Sequence, residues 1–565
     1  MTGLAERLTA GGRERLRDGG AGIPAWPILG FLCLASAITI VALGTKLTFF
    51  NDEWFLLLQR PGFTADSVFN PHNEHLIALL VVIYKGLIAV FGLGSQFPYR
   101  LLLAAVVVAL GIVVFLFVRE RAGNLLALLA AAMVLFFGPA WEDLLWSFQI
   151  GFIGSLAAGV AVLLVMERDT PRRNLAALAL LLVAISLSDL GLPFVVAAAI
   201  AVLLRRRPRQ LWIPAVPALL FGIWFLAYGH KSNSAFSLSN LRDLPLYVLD
   251  SIASGIASLA GLAKASHATL APYDWGRPLL VLIVAATAVW LYRGGRPSSR
   301  TLIVAGAALS FWLLAGANYK VGREPLASRY QLVSGTFLIL VAAEFFRPVR
   351  LRPGTLLAVT CVALIAIGSN IGSLITGYDF LHTHSRNAQA DIGALEIARG
   401  QAPPDYQLQV GVAHDEFLTG ITAGAYFRES DAHGAPPIYS PQQIAAASPE
   451  RRQAVDNILA AGYRMFLVEA PARARLSAQG CQRVNPSFAG GPVEADLRPG
   501  NALISNLGEA PATISVRRFA PPGLFVSLGT LGAGFSATLD IRGDSVALPW
   551  HLVAAGGSTL EVCSA

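Results

Sequence analysis

The stretch LIALLVVIYKGLIAVF, residues 76–91, decides how this chain is threaded. It is apolar enough to be a span, but it carries Lys85 near its middle, which suits a membrane surface better than a bilayer midplane. Whether it crosses sets the side on which everything after it lies. Eleven other apolar runs read as spans, at about 25–47, 98–118, 123–138, 149–167, 174–188, 190–204, 211–228, 277–293, 301–317, 330–346 and 355–376.

Arginine resolves the choice. The N-terminus holds Arg7, Arg13, Arg15 and Arg17, followed by a run that reads as an uncleaved first span rather than a signal peptide. One set of alternating loops carries Arg119 and Arg121, then Arg168, Arg172 and Arg173, then Arg205, Arg206, Arg207 and Arg209. The set goes on with Arg293, Arg296 and Arg300, and ends with Arg347, Arg350 and Arg352. Basic loops face the cytoplasm. They can all do so only if residues 76–91 do not cross and instead lie along the outer surface as an interfacial helix. The expected architecture is an α-helical polytopic membrane protein of about eleven transmembrane helices with outer-surface juxtamembrane helices. It divides into a cytoplasmic tail (1–24), a transmembrane domain (25–376, with a first outer loop at 48–97) and an extracytoplasmic C-terminal domain (377–565). The outer face then also carries the loops near 141–149, 229–276 and 318–329, and the stretch 244–262 reads as a surface or re-entrant helix.

Composition agrees. The 565 residues are 55% hydrophobic and only 14% charged, where a soluble domain has roughly 25% charged residues; the mean hydropathy is +0.58. The net charge of +8 is explained by the basic loops, so nucleic-acid binding is not implied. After Tyr378 the composition becomes that of a soluble domain of about 190 residues. Helical patterns at 385–399 and 448–461 open it, followed by short strand-like runs at 465–469, 513–517, 524–528, 538–541 and 545–548. This predicts an α+β domain ending in a β-sandwich-like unit. Of the four cysteines, Cys33 and Cys361 sit in apolar runs as packing residues. Cys481 and Cys563 could form a disulfide if the tail is outside.

Several outer-face motifs could carry chemistry. Asn51-Asp52-Glu53-Trp54 follows the first span directly. A carboxylate pair there is either a solvated acidic turn or a general base with a helper. Pro71-His72-Asn73-Glu74-His75 opens the surface segment. Pro71 suits a helix start, and His72 and His75 would share one helical face. With Asp52 they could hold a divalent cation, or they could simply cap a helix. Glu142 and Asp143 lie between Trp141 and Trp146 and read as a second acidic patch or as solvated span-end residues. Asp189, between closely spaced spans, marks a tight outer turn or lines a cavity. Lys320, Arg323, Arg329 and Tyr330 precede or open a late span. Cations there run against the positive-inside trend, and a phosphate or pyrophosphate would account for them; pairing of Arg323 with Glu324 or another acid is the plainer explanation. His230 and Lys231 lie on the same face.

These motifs together resemble the GT-C superfamily of membrane glycosyltransferases, such as protein O-mannosyltransferases and lipid A aminoarabinose transferases, and look closest to actinobacterial members. Asp52-Glu53 matches the acidic motif of the long first outer loop, and Pro71 to His75 sits where many members open a second surface helix with His-Pro-Pro. Tyr99-Arg100 and Arg119-Glu120-Arg121 match in position, and Ser328-Arg329-Tyr330 is similar to an Arg-Tyr before a late span. His-Pro-Pro itself is missing, and Asp189 stands where many members have a lysine or another polar residue. The resemblance implies a polyprenyl-phosphate sugar donor, an envelope glycan, lipid or protein as acceptor, Asp52 as base with Glu53 as helper, and single-displacement inversion. Lys320, Arg323, Arg329 and Tyr330 would bind the donor phosphate, with His72, Asn73, Glu74, His75, Glu142, Asp143, Asp189, His230 and Lys231 lining the cavity. No ligand set demands a metal, though a divalent cation could bridge acid and phosphate. A transporter or flippase of lipid-linked saccharides is the main alternative; it should show paired repeats and mid-span breaks, which the sequence lacks. A non-catalytic envelope-assembly protein is the other.

Overall fold

The apolar runs all become helices. In the computed structural model residues 24–564 are described, apart from 233–234, 264, 267–268, 271–274, 348–350, 410, 419, 471–479, 487–491 and 557–558. The arginines of the N-terminal tail and Arg350 lie outside the described residues. The eleven expected spans appear as Ala25–Gly44, Phe97–Ala122, Asn124–Leu135, Ile150–Val165, Pro171–Leu187, Leu192–Leu204, Trp212–Ala227, Gly276–Tyr292, Ser299–Ala317, Ser328–Phe345 and the start of Pro353–Ile397. Among the described residues, seven helical segments are long and apolar enough to cross a membrane by themselves, while Ala78–Phe91, Asp189–Leu204 and Gly276–Tyr292 are shorter apolar helices.

The chain forms two compact units. One comprises the residues up to Lys46 with Arg60–Val90 and Gln96–Leu381; the other comprises Leu47–Gln59, Phe91–Ser95 and His382–Ala565.

In the first unit, Phe97–Ala122 is an inner helix. Leu103, Val107, Leu110, Val114, Phe115 and Phe117 along it are fully buried, because it packs against the helices at 25–44, 124–135 and 150–165. Close approach of helices demands missing side chains. A Cβ at Gly138 would lie 1.6 Å from the Asn370 carbonyl oxygen, and one at Gly377 would lie 2.0 Å from the Trp141 ring. Arg121 is buried and paired with both Glu167, in the turn after helix Ile150–Val165, and Glu344, on helix Ser328–Phe345. It is therefore a packing element as well as a basic-loop residue.

Ala78–Phe91 has 14 residues, about 21 Å. It buries Ala78, Leu80, Val81, Tyr84 and Ile88. Lys85 turns back over the preceding loop, its Nζ donating to the carbonyls of Arg60, at 2.6 Å, and Gly62. The stretch expected as a surface or re-entrant helix is Leu238–Leu259, with Pro245 inside it.

In the second unit two antiparallel sheets follow a helical layer. The strands are β1 (Val468–Ala470), β2 (Cys481–Val484), β3 (Val493–Leu497), β4 (Gly500–Asn506), β5 (Ala512–Arg517), β6 (Val526–Leu531), β7 (Ser536–Ile541), β8 (Trp550–Ala555) and β9 (Leu560–Ser564). One sheet has the order β3-β8-β5-β6 and the other β1-β7-β4-β9-β2. Alternating burial along β3 gives it one core face. Cys481 and Cys563 face each other across the β2–β9 pair and are disulfide-bonded. Helix Pro449–Gly462 is tied on by Asp456, whose carboxylate accepts the backbone N–H groups of Arg518, Phe519 and Ala520 at 2.7, 2.9 and 2.9 Å.

Two expectations need correcting. Residues 385–399 are not a separate helix; they continue the 45-residue helix Pro353–Ile397, in which no proline follows Pro353 and the glycines Gly377 and Gly393 are carried within the helix. Residues 545–548 are not a strand; the strand is β8, and Val546 instead donates its N–H to Asp544 in a turn.

Candidate active site

Pro71 does not open a helix. His72 and His75 form an isolated antiparallel bridge, His72 N–H to His75 O at 3.1 Å and His75 N–H to His72 O at 2.9 Å. Asn73 takes the tip with φ of 53°, a conformation asparagine tolerates better than most residues. The helix begins only at Ala78. The two histidines therefore do not share a helical face, and their rings part. His72 is buried, its ring 5.3 Å from that of Phe148. His75 Nδ1 lies 3.0 Å from Asp189 Oδ2, and Asp189 Oδ1 accepts the Leu76 N–H at 3.0 Å. Asp189 is thus the anchor of this turn.

The tip of the turn reaches the loop that precedes helix Ser328–Phe345. Arg323 donates to both oxygens of Glu74, at 2.9 and 2.8 Å, and its Nη2 is 3.4 Å from His75 Nε2. Lys320 Nζ stands 3.8 Å from the same carboxylate. The loop is braced from behind by Tyr247, whose hydroxyl donates to the Arg323 carbonyl at 3.0 Å. Burial alone would raise the Glu74 carboxyl, but the Arg323 guanidinium, with His75 and Lys320, outweighs it and holds that carboxyl below its usual range.

Arg329 is set by a second acid. Helix Ser328–Phe345 has Ala327 at its N-cap, which offers no side-chain acceptor. Glu142 supplies one: its Oε2 accepts the Arg329 N–H at 3.2 Å, and its own N–H donates to Ser328 Oγ at 3.1 Å. A carboxylate suits the positive end of a helix. The Arg329 guanidinium donates to the Gly322 carbonyl and lies 5.9 Å from the Tyr330 ring. Asp143 is fully buried, and neither of its oxygens has a hydrogen-bond donor among the described residues. His230 and Lys231 stand exposed on the turn Gly229–Lys231, with Lys231 Nζ 5.0 Å from the Tyr228 ring.

The acidic turn belongs to the second unit. Asp52 opens the short helix Asp52–Leu58 and is half-buried. Glu53 is fully buried, and its Oε2 accepts the Phe50 N–H at 3.0 Å. Asn51 before them has φ of 45° and ψ of −115°, a strained backbone of the kind found at functional sites. Glu53 thus serves its own turn, and Asp52 is the more accessible carboxylate.

Tyr247, which braces the Arg323 loop, carries no motif that would have marked it in the sequence. Among the described residues no three His, Cys, Asp or Glu side chains are placed to hold a metal ion, and His75 is engaged by Asp189.

No known protein family matches the sequence, and no curated protein matches it. Among solved structures, the crystal structure of ArnT from Cupriavidus metallidurans bound to undecaprenyl phosphate is similar, with a TM-score of 0.43 and 15% identity over 74% of this chain and 88% of that one.

Proposed function

We propose that this chain is a GT-C-type membrane glycosyltransferase that moves a sugar from a polyprenyl-phosphate donor to an extracytoplasmic acceptor, a cell-envelope glycan, lipid or protein. The observation that carries the reading is the Glu74–Arg323 pair. It joins the first outer loop to the last and gathers Lys320 and Arg323 beside the histidine turn, as a site for an anionic lipid-linked donor requires.

The roles follow from charge and accessibility. Lys320 and Arg329 neutralise the donor phosphate as it leaves, since fixed cations stabilise charge that develops in the transition state. Arg323, bonded to both Glu74 oxygens, shapes the loop that presents them. Asp52 takes the proton from the acceptor hydroxyl, and Glu53 holds the turn. A single displacement inverts the anomeric carbon. The C-terminal unit faces out of the cytoplasm in this reading, and the Cys481–Cys563 bond supports that placement, because disulfides persist in oxidising compartments.

The test is sugar transfer by the purified full chain from a panel of undecaprenyl-phosphate hexoses and pentoses. The wild type should transfer and Asp52→Asn should not. Equal transfer by both removes Asp52 as base, and no transfer by the wild type from any donor removes the reading.

A further inference from the structure

The second unit holds a histidine–carboxylate pair that has no part in the proposed sugar transfer itself. His384 lies on the part of helix Pro353–Ile397 that belongs to this unit. Its Nδ1 is 3.2 Å from Asp415 Oδ1. Asp415 is held in turn: its N–H donates to Asp391 Oδ2 at 2.8 Å, and its Oδ1 also accepts the Phe417 N–H at 2.9 Å. Both acids are buried. An imidazole with Nδ1 against a fixed carboxylate is locked in one orientation and tautomer, with Nε2 as its acceptor nitrogen. The carboxylate also stabilises the imidazolium once a proton arrives, as in a catalytic triad.

The ring stands against the acidic turn. The Phe50 ring is 6.0 Å from His384 and 4.6 Å from Phe417, and Phe417 is 4.8 Å from His384. Thr48 donates its N–H to Ser385 Oγ at 3.1 Å. The chain entering Asn51-Asp52-Glu53 is therefore fastened at two points to the helical turn that carries His384. That fastening accounts for how the strained Asn51 conformation is kept.

We propose that His384 is the positioning residue of the acidic turn and the group that relieves Asp52 of its proton; this rests on Asp52 being the base. The acceptor O–H bond breaks and its proton passes to the Asp52 carboxylate. The acceptor oxygen bonds to the anomeric carbon, and the bond from that carbon to the phosphate oxygen breaks, leaving its electron pair on the phosphate. The proton on Asp52 then moves to His384 Nε2, where Asp415 balances the imidazolium. It leaves from there to water, the His384 side chain being 15% exposed. The ionisable groups on the surrounding elements are Asp52 and Glu53 on the turn, His382, Arg386 and Asp391 on the helix, His414, Asp415 and Glu416 on the loop, and Arg451 on helix Pro449–Gly462.

The experiment compares His384→Ala, His384→Asn and Asp415→Asn with the wild type in lipid nanodiscs, using radiolabelled undecaprenyl-phosphate hexoses and pentoses. Asn keeps a donor toward Asp415 but cannot take a proton. Both His384 variants should lose about 100-fold in kcat, with the donor KM and the melting temperature unchanged. Added imidazole should return part of the rate of His384→Ala, and Asp415→Asn should fall less. An active His384→Asn, or a loss that appears in KM or melting temperature and ignores imidazole, overturns the relay while Asp52 stands. If Asp52→Asn is as active as the wild type, or the wild type is inactive, the underlying reading fails and the relay falls with it.

Discussion

Arg323 grips both oxygens of Glu74 across 249 residues of chain. The side chains are 7% and 12% exposed, so each charge depends on the other for its solvation. Breaking such a pair from one side costs about 3–5 kcal/mol. Arg323→Met and Glu74→Gln should each lower the melting temperature in detergent. The double variant should lose less than the sum of the two, and a double-mutant cycle of melts reads the coupling. Strict additivity would mean that the pair is not formed.

The same pair makes the first unit acid-sensitive. The folded Glu74 carboxyl lies below its usual range, so the folded state binds a proton there less readily than the unfolded chain. The stabilisation is complete above the ordinary glutamate value of about 4.3 and is lost as pH falls through the lower folded value. Melts of the wild type should drop more steeply below about pH 4 than those of Glu74→Gln, which has no such proton to take up.

Arg329 and Lys320 divide by exposure and by fixation. Arg329 is held by Glu142 and Gly322, whereas the Lys320 side chain is 43% exposed. Arg329→Gln should lower kcat for sugar transfer by about 100-fold, the scale of a lost preorganised donor. Lys320→Gln should mainly raise the donor KM, with an effect that shrinks in high salt. Steady-state kinetics at two ionic strengths separates the two.

The Cys481–Cys563 bond spans 82 residues. Closing a loop of that size restricts the unfolded chain by about 4.5 kcal/mol in the loop-entropy treatment. Cys481→Ser with Cys563→Ser should lower the melting transition of the second unit in the intact chain, and a reducing agent should do the same to the wild type alone. Calorimetry with and without reductant checks both.

Periodicity and charge made the helices legible. A run of apolar residues must be shielded from water whatever its neighbours do, so all eleven expected spans appear as helices. Strands were harder to place, because β4 and β9 are recognisable only through their partners. The helix expected to end near residue 376 runs on to Ile397, because a glycine such as Gly377 weakens a helix without ending it when its neighbours pack.

The site divides in the same way. The sequence by itself determined which residues were candidates, because carboxylates, histidines and arginines at span ends are costly to keep there without a purpose. Only the tertiary structure decided their partners. Glu74 took Arg323 rather than leaving it to Glu324, Asp189 took His75, and Glu142 capped a helix that has no acceptor of its own. These pairs join residues more than a hundred positions apart. Hydrogen bonding depends on distance in space, and separation along the chain carries no record of it.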